Sequence, residues 1–354
     1  MATIRDVARE AGVSIATVSR VFNDSSLVSE RTGRQVREVA ARLNYWPNGV
    51  ARSLITNRTH ALGVLLPDMH GAFFSEVIRG VDLAARRQGF HVLVSSSHAD
   101  SETLAEALRS MSGRIDGVMV MAPDVDAPGA IRGFSHHCPV VLINPGQEVE
   151  ECDTLSVANA DGAREMVKHL IGLGHRRIAL VRGPARNLDG EQRLQGYHQA
   201  LIEAGIEPDP RLELRGDFTE PSGWEAGLTL ARLEPRPTAV FVANDPMAIG
   251  VLAGLAEARI AVPDEIAVAG FDDIAIARYT SPPLTSVRVN PSLLGERAVE
   301  LLLRARRSPV TGVRQHEVLP TTLAIRRSCG APPSRRDPET AFQRRVRALA
   351  RTAG

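Results

Sequence analysis

Two periodicities divide the chain. In the first 46 residues apolar positions recur at three- and four-residue steps: Ile4, Val7, Ala8 and Ala11, then Val18, Val21 and Phe22, then Val36, Val39, Ala40 and Leu43. Each set marks one face of an amphipathic helix. The start signals agree. Thr3, with Asp6 three residues on, fits a capping box; Ser14 and Ser29 stand as N-caps; Gly12 suits the left-handed end of the first helix. Gly33 falls inside the third run and is expected to interrupt it. Two short helices joined by Gly12-Val13-Ser14 make a helix-turn-helix.

From Ala61 onward short apolar runs alternate with amphipathic stretches. Residues 61–66, 91–96, 117–121, 140–143, 178–181, 239–242 and 266–269 read as strands buried on both faces. Residues 74–87, 102–112, 163–173, 193–203, 222–232 and 247–258 read as the helices between them. Strand–helix repetition predicts an α/β fold with parallel sheets and right-handed crossovers. So many elements exceed one comfortable sheet, so two similar halves with a cleft between them are expected. Ligands in such folds sit outside the carboxyl ends of the strands.

Between the two regions lies the run from Trp46 to Leu54. Pro47 disfavours helix at Trp46 and ends what precedes it. Asn48 can cap a new turn, with Val50, Ala51 and Leu54 at helical spacing. Gly49 in that first turn costs ~1 kcal/mol relative to Ala. Such a segment forms a helix only against a partner surface.

Composition narrows the function. At 354 residues and 44% hydrophobic the chain can bury a large core, yet no run approaches a membrane span and Met1-Ala2-Thr3-Ile4-Arg5 lacks a signal-peptide core, so a cytoplasmic protein is expected. Cys138, Cys152 and Cys329 show no paired spacing for a disulfide or zinc site. Net charge is only +1, but residues 1–60 carry +4, residues 331–354 another +4, and the middle −7. A basic module on an acidic body meets a polyanion at one end. Lys168 is the sole lysine, so abundant Arg says little by itself. Gly172-Leu173-Gly174 follows a helix rather than a strand, no phosphate-loop lysine or nucleophile elbow exists, and the histidines lack metal-ligand spacing. No enzymatic role, cofactor or metal is indicated.

The candidate chemistry falls in two places. On the second helix Ile15, Ala16, Thr17 and Arg20 face outward: Arg20 can donate two hydrogen bonds to guanine, Ile15 and Ala16 can touch thymine methyls, and Thr17 and Ser19 reach phosphates. A plain three-helix bundle with a solvated Arg20 is the alternative. In the body Asp68, Phe73, Phe74, Asn144, Arg193, Phe218, Asn244 and Asp272 follow strand ends. Arg and carboxylates grip vicinal hydroxyls, and rings cover the apolar face of a sugar. Asn244-Asp245 could equally cap the helix that follows, and Asp272-Asp273 hold a turn.

Ile4-Arg5-Asp6-Val7-Ala8-Arg9-Glu10-Ala11-Gly12-Val13-Ser14 and Thr17-Val18-Ser19-Arg20-Val21-Phe22-Asn23 resemble the headpiece of the lactose-repressor family. Asn44-Tyr45-Trp46-Pro47-Asn48 and Val50-Ala51-Arg52-Ser53-Leu54 resemble its hinge. Val242-Ala243-Asn244-Asp245-Pro246-Met247-Ala248-Ile249-Gly250, Gly270-Phe271-Asp272-Asp273 and Pro283-Leu284-Thr285-Ser286-Val287 are similar to its effector domain. The resemblance implies a homodimer on a pseudo-palindromic double-stranded operator, with paired hinge helices in the minor groove. There Leu54 would be the kinking wedge and Ala51 would permit close approach. Thr3, Ser14, Asn23 and Asn48 complete the candidate DNA contacts. Gly33 and Gly49 depart from the pattern.

It also implies a body like periplasmic sugar-binding proteins, in which the residues matching Arg193, Asn244 and Asp272 contact effector. Pro145 stands where purine-sensing relatives carry an aromatic lid, which favours a carbohydrate. The expected organisation is a helix-turn-helix headpiece at 1–46, a hinge at 47–59, and an effector and dimerisation domain at 60–330. The last divides into about 60–158 plus 289–330 and about 159–288, and a basic disordered tail follows at 331–354. A regulator of carbohydrate genes is the expectation. Control by a protein corepressor, by a nucleobase or nucleoside, or a cytoplasmic solute-binding protein or enzyme are the rivals.

Overall fold

The computed structural model describes residues 2–22, 28–46, 58–69, 71–98, 100–122, 128–146, 149–307 and 314–331. The hinge run 47–57, with Asn48, Ala51 and Leu54, lies outside the described residues, as do Asn23 and the tail from 332 on.

The headpiece is three helices, α1 (Ile4–Glu10), α2 (Ile15–Phe22) and α3 (Glu30–Arg42). Their start signals act as the sequence predicts. The Thr3 backbone N–H and hydroxyl donate to the Asp6 carboxylate at 3.0 and 2.8 Å. Ser14 Oγ accepts from Thr17 N at 3.0 Å, and Ser29 Oγ from Thr32 N at 3.2 Å. Gly12 ends α1 at φ +63°. Val7, Ala8, Ala11, Val18, Val21, Val36, Val39 and Ala40 form the core, with Phe22 and Tyr45 against it at 5.9 Å between rings. Gln35 Nε2 donates to the Ala11 carbonyl at 3.1 Å and pins α3 to the end of α1. Gly33 does not interrupt α3, which runs unbroken through it. The cost of one glycine is smaller than what the buried stripe around it returns.

The body holds two six-stranded sheets. The first contains β1 (Ala61–Leu66), β2 (His91–Ser96), β3 (Val118–Met121), β4 (Val140–Ile143), β5 (Asp153–Val157) and β11 (His316–Leu319). The second contains β6 (Ile178–Arg182), β7 (Glu213–Arg215), β8 (Ala239–Val242), β9 (Ala267–Asp272), β10 (Thr285–Arg288) and β12 (Thr322–Ala324). Their orders are β2-β1-β3-β4-β5-β11 and β7-β6-β8-β9-β10-β12, the same winding twice. The pair β10–β12 is antiparallel, whereas β1–β3, β3–β4, β4–β5, β5–β11, β6–β7, β6–β8, β8–β9 and β9–β10 are parallel. In each sheet the winding reverses beside the first strand, at β1/β3 and β6/β8, which is where open parallel sheets leave a crevice.

The helices are α4 (Ala72–Arg87), α5 (Ser101–Met111), α6 (Pro128–Ser135), α7 (Asn159–Gly172), α8 (Leu188–Glu203), α9 (Glu220–Arg232), α10 (Asp245–Glu257) and α11 (Pro291–Arg307). The chain passes between the sheets three times: from β5 to α7, from β10 to α11, and from β11 to β12. That last return puts 322–324 in the second sheet, whereas the sequence reading keeps residues up to 330 with the first. Helices α9 and α10 pack backbone to backbone: a Cβ on Gly223 would lie 2.0 Å from the Met247 carbonyl oxygen, and one on Gly250 2.1 Å from that of Glu220.

Several expected elements change. Strand β2 is not buried on both faces; it is an edge, and His91, Leu93 and Val94 are exposed. Helices α7 and α8 begin four and five residues earlier than the apolar pattern suggests, because their first turns are polar. Five strands, the short α6 and the long α11 lie beyond the runs that the sequence pattern marks. Leu294, Ala298, Leu301 and Leu302 of α11 sit at helical spacing and are buried, so that helix was legible.

Candidate DNA-reading surface and effector cleft

On α2 the buried side is Val18 and Val21, which leaves Ser14, Ile15, Ala16 and Arg20 exposed and Thr17 and Ser19 half-buried. Ile15 is 46% exposed, an apolar side chain held in water at the tip of a short helix. Such a residue suits base-edge contact better than folding. Ser14 and Thr17 share a hydroxyl contact of 2.9 Å besides the cap, so both orient the amino end of α2. Thr3 is exposed at the start of α1, engaged with Asp6. That engagement, led by the Thr3 hydroxyl, holds the Asp6 carboxyl below the usual range.

In the body, parallel pairing brings the ends of β1 and β4 to one side of the first sheet, and those of β6, β8 and β9 to one side of the second. Asp68 stands exposed after β1. Phe73 and Phe74 occupy the first turn of α4, half-buried and edge to face at 5.6 Å. Asn144 follows β4, buried, with φ +43°. Its side-chain oxygen accepts from Val157 N at 2.9 Å, and its amide donates to Asp189 on α8 at 3.2 Å. That bond joins the two lobes.

Arg193, where the apolar pattern starts its helix, lies on the second turn of α8. It is buried, 6% exposed, and each of its three nitrogens meets a partner. Nε donates to Asn159 Oδ1 at 3.0 Å, Nη1 to the Ala243 carbonyl at 2.6 Å, and Nη2 lies 3.3 Å from Asp272 Oδ1. Its guanidinium carbon sits 3.8 Å from the centre of the Phe271 ring and 5.9 Å from that of Phe218. Asn159 in turn donates to Asp189 at 2.8 Å and to Gln192 at 3.2 Å. A continuous network therefore runs Asn144, Asp189, Asn159, Arg193, Asp272.

Burial first, and then the Asp189 charge, push the Asp272 carboxyl up to about 7, with Arg193 pulling the other way. Asp272 has φ +105° and Phe218 φ +71°. Backbone held this way by non-glycine residues gathers at functional sites. Gly183 makes room for the Phe218 ring, which a Cβ there would meet at 2.4 Å.

Asn244 caps α10, accepting from Met247 N at 3.0 Å, and donates to the Phe218 carbonyl at 3.0 Å, so its amide is engaged within the protein. Asp245 is fully buried and accepts from Ser286 Oγ at 2.6 Å and Ile274 N at 2.8 Å. Asp273 pairs with Arg288 and Arg326. The structure thus joins Asn144, Arg193, Phe218, Asn244 and Asp272, while Asp68, Phe73 and Phe74 lie after β1 and at the start of α4 in the lobe that also carries Asn144.

Asp189, Asn159, Gln192 and Phe271 were not picked out. Asn187 offered a signal: a cap there starts a helix on which Asp189 and Arg193 share a face at i and i+4.

Residues 3–48 match the model of bacterial regulatory proteins of the lacI family, and residues 167–329 that of a periplasmic binding protein-like domain. The HTH-type transcriptional repressor PurR of Mannheimia succiniciproducens is 35% identical over 305 residues, 85% of this chain and 91% of that one. The ribose operon repressor of Escherichia coli K12 is 34% identical over 322 residues, 90% and 98% of the two chains. Among solved structures, the lac repressor dimer bound to operator and the anti-inducer ONPF superposes with a TM-score of 0.84 at 31% identity, covering 93% of this chain and 99% of that one.

Proposed function

The chain belongs to the LacI family of bacterial regulatory proteins and is a DNA-binding transcription regulator, and from that premise we propose a homodimeric repressor released from a pseudo-palindromic operator by a small carbohydrate in the cleft. The headpiece reads DNA through Ile15, Ala16 and Arg20 at base edges, with Thr3, Ser14, Thr17 and Ser19 toward phosphates. Asn23, Asn48, Ala51 and Leu54 are assigned by motif alone. Its target places it in the cytoplasm, and among the described residues no helix is long and apolar enough to cross a membrane.

The observation that carries the effector reading is the buried polar network from Asn144 to Asp272, set between Phe218 and Phe271. Buried polar groups cost several kcal/mol unless satisfied, and this one crosses between lobes at the sheets' switch points. Asp68, Phe73, Phe74, Asn144, Arg193, Phe218 and Asp272 line the ligand, with Asn244 positioning Phe218. A sugar that binds the closed lobes more tightly than the open ones shifts their balance, and through the hinge the operator affinity.

The test pairs calorimetry against pentoses and hexoses with a gel shift on the protein's own upstream region. One sugar is expected to bind and to weaken the shift, and Arg20→Ala to abolish it. No shift on any palindromic candidate at low salt would sink the repressor reading, and silence across the sugar panel the effector reading.

A further inference from the structure

We infer that the cleft accepts a sugar only in its uncharged form and rejects the same sugar once it is phosphorylated. This rests on the carbohydrate reading above and adds a selection within it.

Sites for phosphate need free charge-assisted donors or an unneutralised helix amino end. The buried floor of this cleft offers neither. Arg193 is its one buried cation among the described residues, and that cation is paired with Asp272 while its other two nitrogens donate to Asn159 and Ala243. The amide donors are committed as well, since Asn144 and Asn159 both donate to Asp189. Three buried carboxylates, Asp189, Asp245 and Asp272, thus stand against one buried guanidinium, which pairs with Asp272 while Asp189 is held by Asn144 and Asn159.

Two helix amino ends at the floor are closed in the same way. Helix α8 starts at a cap made by Asn187 and carries Asp189 and Glu191 in its first turn. Helix α10 starts at a cap made by Asn244, carries Asp245, and has a proline in its first turn that removes a donor. Each dipole already faces its own carboxylate. The amino end of α7 carries Asp161 in its first turn, and that of α4, outside the buried floor, has exposed Gly71 at the cap, no acidic residue, and Phe73 and Phe74 in its first turn, a surface suited to the apolar face of a ring.

What the floor does present is acceptors. Asp272 Oδ1 is buried and makes no hydrogen bond, only the longer ion contact with Arg193. Hydroxyl groups donate to such oxygens, and a phosphate dianion has no proton to give. Burial first, with the Asp189 charge adding to it, raises the Asp272 carboxyl, and a further negative charge on this dry floor is disfavoured on the same two grounds. Arg186, exposed in the loop before α8, is the cation that an ester would have to recruit from outside this floor.

The experiment is calorimetry on the full chain with a panel of free pentoses and hexoses and their 5- or 6-phosphates, backed by thermal shift. The free form of the cognate sugar is expected to bind and its ester to bind at least 100-fold more weakly. Asp189→Asn, with its melting temperature checked, is expected to narrow that ratio at least tenfold by removing charge without removing shape. An ester that binds within tenfold of its free sugar overturns the inference and leaves the carbohydrate reading standing. So does an unchanged ratio in a folded Asp189→Asn protein. Failure of every free sugar to bind, with or without binding of a nucleobase, takes down the carbohydrate reading and this inference with it.

Discussion

The headpiece and the cleft solve opposite problems. On α2 the functional side chains point outward, and the groups that shape them lie within one turn: Thr17 N meets Ser14 Oγ three residues away, and Thr3 meets Asp6 across the same interval. In the cleft the functional side chains are buried and held by partners far along the chain, Asn144 to Asp189 across 45 residues and Arg193 to Ala243 across 50. A surface that reads a stiff, charged duplex needs a fixed helix and little else. A cleft that must answer a small neutral molecule has to be dry and cross-linked between lobes. Changes on α2 should therefore alter affinity and spare stability, while changes in the cleft should strike both.

The sharpest break of that contrast is Arg193→Ala. Removing the buried guanidinium leaves Asp272 without its ion partner, and stranding one member of a buried pair costs about 3–5 kcal/mol. The urea midpoint of the body should fall accordingly, and the double variant with Asp272→Asn should recover part of the loss, since contacting residues couple by roughly 0.5–3 kcal/mol. A body as stable without Arg193 as with it would mean the network contributes nothing to the fold.

Next come two changes of similar size and different kind. Gly183→Ala drives a methyl into the Phe218 ring, and overpacking of this sort costs roughly 1–3 kcal/mol. Sugar binding should weaken with it, because Phe218 flanks Arg193. Arg20→Ala should cost operator affinity about 1–3 kcal/mol, roughly 5- to 150-fold, and leave the melting of the body unchanged. Equal loss on operator and random DNA would move Arg20 from base reading to phosphate contact.

Smaller still is a pH effect confined to the cleft. The folded-state carboxyl of Asp272 titrates at about 7, against 3.8 ordinarily, so the folded protein holds a proton that the unfolded chain has released. The associated stability is present at low pH and is lost as pH rises through 7. Between pH 6 and pH 8 the ligand-free body should lose about 1 kcal/mol, and Asp272→Asn should flatten that slope. Asp245, also raised by burial, acts in the same direction.

The same contrast explains what could be read from residues alone. Helix starts at Thr3, Ser14 and Ser29 are local signals, as are the alternating apolar runs, and these were enough for the headpiece and for two wound sheets. Asn159 and Asp189 were hidden because the polar first turns of α7 and α8 resemble loops. Nothing local shows that Asn159 will meet Asp189, 30 residues on. The same holds for the backbone at Asn144, Phe218 and Asp272, where a positive φ is imposed by packing from elsewhere. Edge exposure of β2 follows from strand order, which composition does not encode.

The smallest effect tests the locality claim most directly, because the same substitution should change sign between the two regions. Gly33 lies in α3, is buried, and would place a new methyl 3.1 Å from the end of the Arg37 side chain, a flexible group that can move aside. Local propensity then decides the outcome. Gly33→Ala should stabilise the headpiece by about 0.5–1 kcal/mol, visible as slower amide exchange along α3 in the full chain. At Gly183 the methyl meets an aromatic ring bound into the cleft, and the substitution should destabilise. If Gly33→Ala also destabilises, close packing governs the headpiece as it governs the cleft, and the division between a locally coded reader and a globally coded sensor fails.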